Sequence, residues 1–179
     1  GVDTGPVLLK RTITIAEDDT TGSLTGKLAL LGANALLEAL PLWIAGDLKP
    51  QPQDERQASY TRMLRKEDGE IAWNRAAAVI AREVRAYSPW PGSYTIWRGK
   101  LLKIVAAHAW ATGAEEMEKN MPAGTVMRHR EAGETSIQVV TGAGMLAIDS
   151  LQLEGKKAMS AEEFLRGYQQ IVGDLLGNP

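Results

Sequence analysis

Apolar side chains recur along this chain with a helical period in three stretches and a strand-like period in most of the others. Leu24, Leu28, Leu31, Ala35, Ala39 and Leu42 fall at steps of three and four residues, the stripe of an amphipathic helix. Thr20, Thr21 and Ser23 are N-cap candidates at its start. Pro41 is expected to kink or end the regular part, and Gly46 to close it. Ahead of it, residues 7–15 are rich in β-branched side chains and bounded by Pro6 and Glu17-Asp18-Asp19, which predicts a strand. One strand and one helix bury no core of their own, so residues 1–47 read as the tail of a larger α/β domain. Gly1 is not a natural translation start, and the chain reads as beginning partway through a protein.

Residues 48–65 carry prolines, polar side chains and no period, and are expected to be a linker, extended over 48–55. A second domain is expected over 66–179. Asn74 is the expected cap of a helix over 75–86, with Ile80, Val84 and Tyr87 on one face. After Pro89-Trp90-Pro91-Gly92 the period becomes two, predicting strands over 93–98, 101–109, 124–130, 135–141 and 145–153. Gly99-Lys100 and Gly142-Ala143-Gly144 are the expected tight turns. Ser160-Ala161-Glu162-Glu163 has the spacing of a capping box and opens a last helix to Tyr168. The expected fold class is therefore α+β. An α/β tail and a linker precede an oligonucleotide-binding-like (OB-like) barrel of five strands with flanking helices, although other small barrels share the pattern.

Composition narrows the chemistry. There is no cysteine, which excludes disulfides and thiolate metal sites and suits a reducing cytoplasm. The two histidines, His108 and His129, fall in expected strands without partners at metal-ligand spacing, so no metal is expected. No apolar run approaches the roughly 20 residues of a membrane span, and no membrane partner is expected. A net charge of −2 predicts no global attraction to nucleic acid, and no DNA partner is expected. Basic side chains are nevertheless concentrated at Arg56, Arg62, Arg65 and Lys66, with Arg75, Arg82 and Arg85 following on the expected helix. Such a face would track phosphates, or it is an ordinary solvated face. Trp90, held between prolines, is expected to plug a core or a junction more than to stack on a base; Trp73, Trp97 and Trp110 are expected to be core or partly buried.

Four blocks stand in one order along the chain: Asp3-Thr4-Gly5-Pro6, Lys66-Glu67-Asp68-Gly69-Glu70-Ile71-Ala72-Trp73, Arg85-Ala86-Tyr87-Ser88-Pro89-Trp90-Pro91-Gly92 and Glu154-Gly155-Lys156-Lys157-Ala158-Met159-Ser160. Together they resemble the methionyl-tRNA formyltransferase family. The resemblance implies a Rossmann-like formyltransferase domain ending near residue 47. It also implies 10-formyltetrahydrofolate as formyl donor and initiator Met-tRNA as partner, in an enzyme expected to be monomeric. By the same resemblance Asp3 is the catalytic aspartate and Gly1, Val2 and Gly5 lie against the folate, while Arg62, Arg65, Lys66 and Arg85, from the basic cluster, are the expected tRNA contacts. The family's Asn-Xaa-His motif is absent: none of Asn34, Asn74, Asn120 and Asn178 has a histidine two residues on. A carboxylate alone offers no donor to the oxyanion of formyl transfer, so these 179 residues alone are expected to be inactive. A stand-alone RNA-binding module and a sugar-nucleotide formyltransferase are the alternative readings.

Overall fold

The structure, a computed structural model, describes residues 3–110, 121–131 and 134–177. It divides into two compact units, Gly1–Met63 and Leu64–Pro179.

In the first unit the expected helix forms as α1, Thr21–Ala45. Thr20 caps it, its hydroxyl accepting from the Ser23 amide while the Ser23 hydroxyl accepts from the Thr20 amide, so two of the orphan donors at the helix start are satisfied. Asp19 anchors this end: its buried carboxylate accepts from the Ala16 amide (2.9 Å), the Ser23 hydroxyl (2.7 Å) and the Lys27 ammonium (2.6 Å). The Lys27 bond, then Ser23 and Ala16, hold its carboxyl down at about 2. Pro41 sits inside α1 without ending it, and Gly46 closes the helix in the left-handed conformation, as expected.

Two expectations are corrected in this unit. Residues 7–15 do not form a strand. Val7 alone pairs, exchanging two 2.9 Å bonds with Gln51, because no neighbouring strand among the described residues offers the rest a ladder. And α1 is long and apolar enough to cross a membrane by length and composition, with mean hydropathy 1.7. Glu38 of α1 pairs with Arg11, which lies ahead of the helix. Only Ala39 of α1 is buried, and Leu36, Leu37 and Ile44 are exposed.

The second unit is an α+β domain. Helix α2, Ala77–Ala86, precedes strands β1 (Ser93–Trp97), β2 (Lys100–Trp110), β3 (Val126–Glu131), β4 (Glu134–Val140), β5 (Met145–Leu153) and β6 (Met159–Ser160); α3, Ala161–Gly167, follows. All strand pairs are antiparallel, in the order β1-β2-β5-β4-β3, with β6 on β5. The ladder is open, since its end strands β1 and β3 do not pair with each other among the described residues. Alternation along the strands places Leu102, Ile104, Ile137, Val139, Leu146 and Ile148 in one core with Ile80 and Val84 of α2 and Phe164 of α3. The Ser160 capping box forms as read, with Glu163 as its partner.

The local corrections each have a stated cause. Asn74 is not the cap of α2; the helix starts two residues later, after Ala76, without a side-chain cap. The backbone at Asn74 instead runs against Gly142, where a Cβ would stand 1.8 Å from the Asn74 carbonyl oxygen. The first hairpin turns at Arg98-Gly99 and not Gly99-Lys100. Both turn residues have positive φ (49° and 75°), the two-residue geometry that matches strand twist, and Lys100 already pairs with Trp97.

Candidate functional site

The Asp3-Thr4-Gly5 turn lies at the start of the first unit. Asp3 has φ 63°, in the left-handed region that aspartate tolerates better than most L-residues. Its side chain is exposed. Gly5 does not have positive φ, and a Cβ there would meet nothing within 4 Å, so the turn is open on that side. Gly1 and Val2 lie outside the described residues.

The turn is held from a part of the chain that sequence reasoning treated as linker. Residues 48–53 fold back beside it through the Val7–Gln51 bridge, and the Gln53 amide donates to the carbonyls of both Asp3 (2.9 Å) and Gly5 (2.8 Å). Beyond it Asp54 caps the short 3-10 turn Glu55–Gln57 and binds the Arg56 guanidinium, so Arg56 spends its charge locally. Bonds to the Arg56 side chain and amide lower the Asp54 carboxyl below its ordinary value. No sequence signal pointed to Gln53, because a long-range bond from a polar side chain leaves no periodicity.

Arg62 lies in the first unit, exposed, one N–H directed to the Met63 carbonyl at 3.1 Å. Arg65, Lys66 and Arg85 lie in the second. Arg65 and Lys66 are exposed around the 3-10 turn Lys66–Gly69, which Asp68 closes by accepting from the Arg65 amide at 2.7 Å. Gly69 then packs against Gly92, where any Cβ would lie 2.0 Å from the Gly92 oxygen, and Ile71 donates to the Tyr94 carbonyl. Arg85 sits in the last turn of α2, half-buried and bonded back to the Ala81 carbonyl. The helix runs from there into the Tyr87–Gly92 loop, closed by the Gly92 amide on the Tyr87 carbonyl. The Lys66–Gly69 turn thus meets the end of this loop through Gly69 and Gly92, and Arg85 precedes its start on α2. Arg82 is exposed on α2, while Arg75 is paired with Glu83.

That loop carries the clearest departure from the sequence reading. Trp90 plugs no core in this chain; it is 57% exposed at the loop's tip. Trp73 and Trp97 are buried as expected, Trp73 donating to the Thr95 hydroxyl and Trp97 to Asp174. Acidic side chains are interleaved with the basic ones: burial, then Glu70 and Glu67, raises the Tyr94 hydroxyl. His108 on β2 bonds Asp149 at 3.1 Å, and His129 on β3 lies 5.0 Å from the Trp110 ring. Among the described residues no cluster of three metal-ligating side chains occurs.

Comparison with known proteins agrees with this division of the chain. The family model described as "Formyl transferase, C-terminal domain" matches residues 63–169. A methionyl-tRNA formyltransferase of Geotalea daltonii is 42% identical over 99% of this chain and 54% of its own length. One from Roseiflexus castenholzii is 39% identical over 98% of this chain and 54% of its own length. The chain thus spans about half the length of the curated relatives it matches. The structure of HypX from Aquifex aeolicus in complex with tetrahydrofolic acid shares the fold, with TM-score 0.64 and 20% identity over 95% of this chain and 29% of that one. With the family model covering most of the open-sheet unit and the α2, Tyr87–Gly92 and Ser160 features all inside its span, the chain belongs to the formyl transferase family through its C-terminal domain.

Proposed function

We propose that this chain forms the C-terminal half of a methionyl-tRNA formyltransferase, which moves a formyl group from 10-formyltetrahydrofolate to the amine of methionine on initiator tRNA. The observation that carries the reading is 39–42% identity over 98–99% of the chain to proteins bearing that name. The bare flank of α1 supports it: Leu36, Leu37 and Ile44 are side chains that the rest of a catalytic domain would cover. In this reading residues 1–47 end the catalytic domain, 48–65 join the domains, and 66–179 form an OB-like module in a cytoplasmic, monomeric enzyme. The open antiparallel sheet is the element such a module would use.

The folate supplies the formyl group when bound, and the open side of the Asp3-Thr4-Gly5 turn leaves room for a flat ring against the backbone at Gly5. Asp3 would hold or accept a proton at its carboxylate as the amine is acylated. Arg62, Arg65, Lys66 and Arg85 would contact tRNA phosphates, which position the RNA without reading its sequence.

Two measurements test this. Titration of initiator tRNA onto the chain at increasing salt is expected to weaken binding, with log affinity falling linearly in log salt and a slope reflecting about three to four phosphates. A flat titration would sink the RNA role. Formyl transfer by these 179 residues alone is expected to be undetectable, because the Asn-Xaa-His donors to the oxyanion are absent from them.

A further inference from the structure

The Gln53 side chain makes the same polar contact twice, and the place where it does so is the candidate catalytic turn. One amide nitrogen has two hydrogens in a fixed planar fork. At Gln53 these reach the Asp3 and Gly5 carbonyls, at 2.9 and 2.8 Å, from 50 and 48 residues along the chain. The first of those carbonyls belongs to Asp3 itself, whose φ of 63° lies outside the ordinary range of an L-amino acid, and the second closes the turn two residues on. Fixing both carbonyls holds the peptide planes that follow the Asp3 Cα, which restrains the direction in which its Cα–Cβ bond leaves the backbone. The Val7–Gln51 bridge, with 2.9 Å bonds in both directions, sets Gln53 in place two residues before it is needed.

We propose that Gln53 is a positioning residue for Asp3: its amide clamps the Asp3-Thr4-Gly5 turn so that the carboxylate is presented in a reactive orientation. The proposal rests on the reading of Asp3 as the catalytic aspartate. The clamp requires donors. Glutamate has glutamine's shape but presents only acceptors, and its charge would repel both carbonyl oxygens. Lysine carries donors on a stem of similar reach, without the planar fork.

The test is made in the complete enzyme with Met-tRNA and the formyl donor. Gln53→Glu is expected to lower kcat about tenfold, equivalent to about 1.4 kcal/mol of barrier, with KM for both substrates within about twofold. Gln53→Lys is expected to recover part of that loss. Both variants should unfold at the parent's midpoint, because Gln53 is exposed. Three results would overturn the positioning role: an unchanged kcat in Gln53→Glu, a loss confined to KM, or equal losses in both variants together with a lowered unfolding midpoint. Asp3→Asn separates this from the parent reading. If Asp3→Asn transfers formyl normally, the catalytic reading of Asp3 itself fails. If Asp3→Asn is inactive and Gln53→Glu is not slowed, the positioning role alone fails.

Discussion

The two units of this chain achieve order by different means. In the second, two helices and an antiparallel sheet bury a continuous core, with Phe164 stacked on Tyr168 at 4.6 Å and edge-on to Trp97 at 5.8 Å. In the first, a 25-residue helix buries only Ala39 and depends on what its own backbone and ends supply: a capping box, the Asp19–Lys27 pair and a glycine stop. The contrast teaches that a well-formed helix is not evidence of a core. Intrahelical bonds and caps are local, whereas burial requires a partner surface. Strands have no such local resource, which is why residues 8–15 join no ladder while α1 beside them is complete.

The sharpest way to break this comparison is to remove packing from each unit in turn. Phe164→Ala is expected to destabilise the second unit by about 3–5 kcal/mol in urea unfolding, from lost burial and the cavity left behind. Gly142→Ala should follow at about 3 kcal/mol, since its Cβ has nowhere to go but into the Asn74 backbone carbonyl. A wild-type midpoint for either would mean that the core tolerates far more rearrangement than its close approaches suggest.

Acid probes the ion pairs of the two units at different depths. Asp174 accepts from Arg98 and Trp97, which lower its carboxyl below the ordinary 3.8. Its stabilisation is complete above the unfolded-state value and is lost as pH falls through the lower folded one. The Asp174→Asn variant should therefore be less stable at neutral pH but lose less than the parent on acidification below about pH 4. Asp19, held at about 2, should release the start of α1 only as pH falls from about 4 towards 2. Helix content followed by circular dichroism across that window checks it, and loss of α1 already complete near pH 4 would refute the assignment.

The smallest expected effects fall on the exposed side chains. Trp90→Ala should change stability by no more than about 0.5 kcal/mol, so any loss of tRNA affinity it causes reports contact and not folding. Leu37→Ala, at a position 72% exposed, should likewise leave the unfolding of this chain within about 0.5 kcal/mol. In the complete enzyme the same change should cost several times more if a catalytic domain covers α1. Equal costs in both settings would argue against such a cover.

Much of the second unit was legible in the sequence because its signals are local. Period-two alternation placed five strands to within a few residues, and the Ser160 capping box announced itself by spacing. The Asn74 cap failed because its backbone is claimed by Gly142, a contact between residues 68 positions apart that no local pattern records. For Trp90 the core half of the reading does not hold, for the converse reason: a rigid, aromatic, proline-flanked block signals a constrained turn but not which way its tip faces. Of the candidate site, resemblance to a family supplied Asp3 and local charge clustering supplied the basic residues; periodicity would have found none of them.

What the sequence by itself determined, then, is α1, α2, the five long strands and the last helix, the Ser160 cap and the Gly46 stop, and the family. Each of these is written in residues a few positions apart, where backbone geometry and hydrogen bonding act directly. Only the tertiary structure decided that Gln53 reaches back to the Asp3 turn, that Gly69 packs against Gly92 at the end of the Trp90 loop, and that the sheet stays open. Those depend on which distant surfaces meet, and the energy of such a meeting belongs to both surfaces at once, so neither stretch of sequence carries it alone.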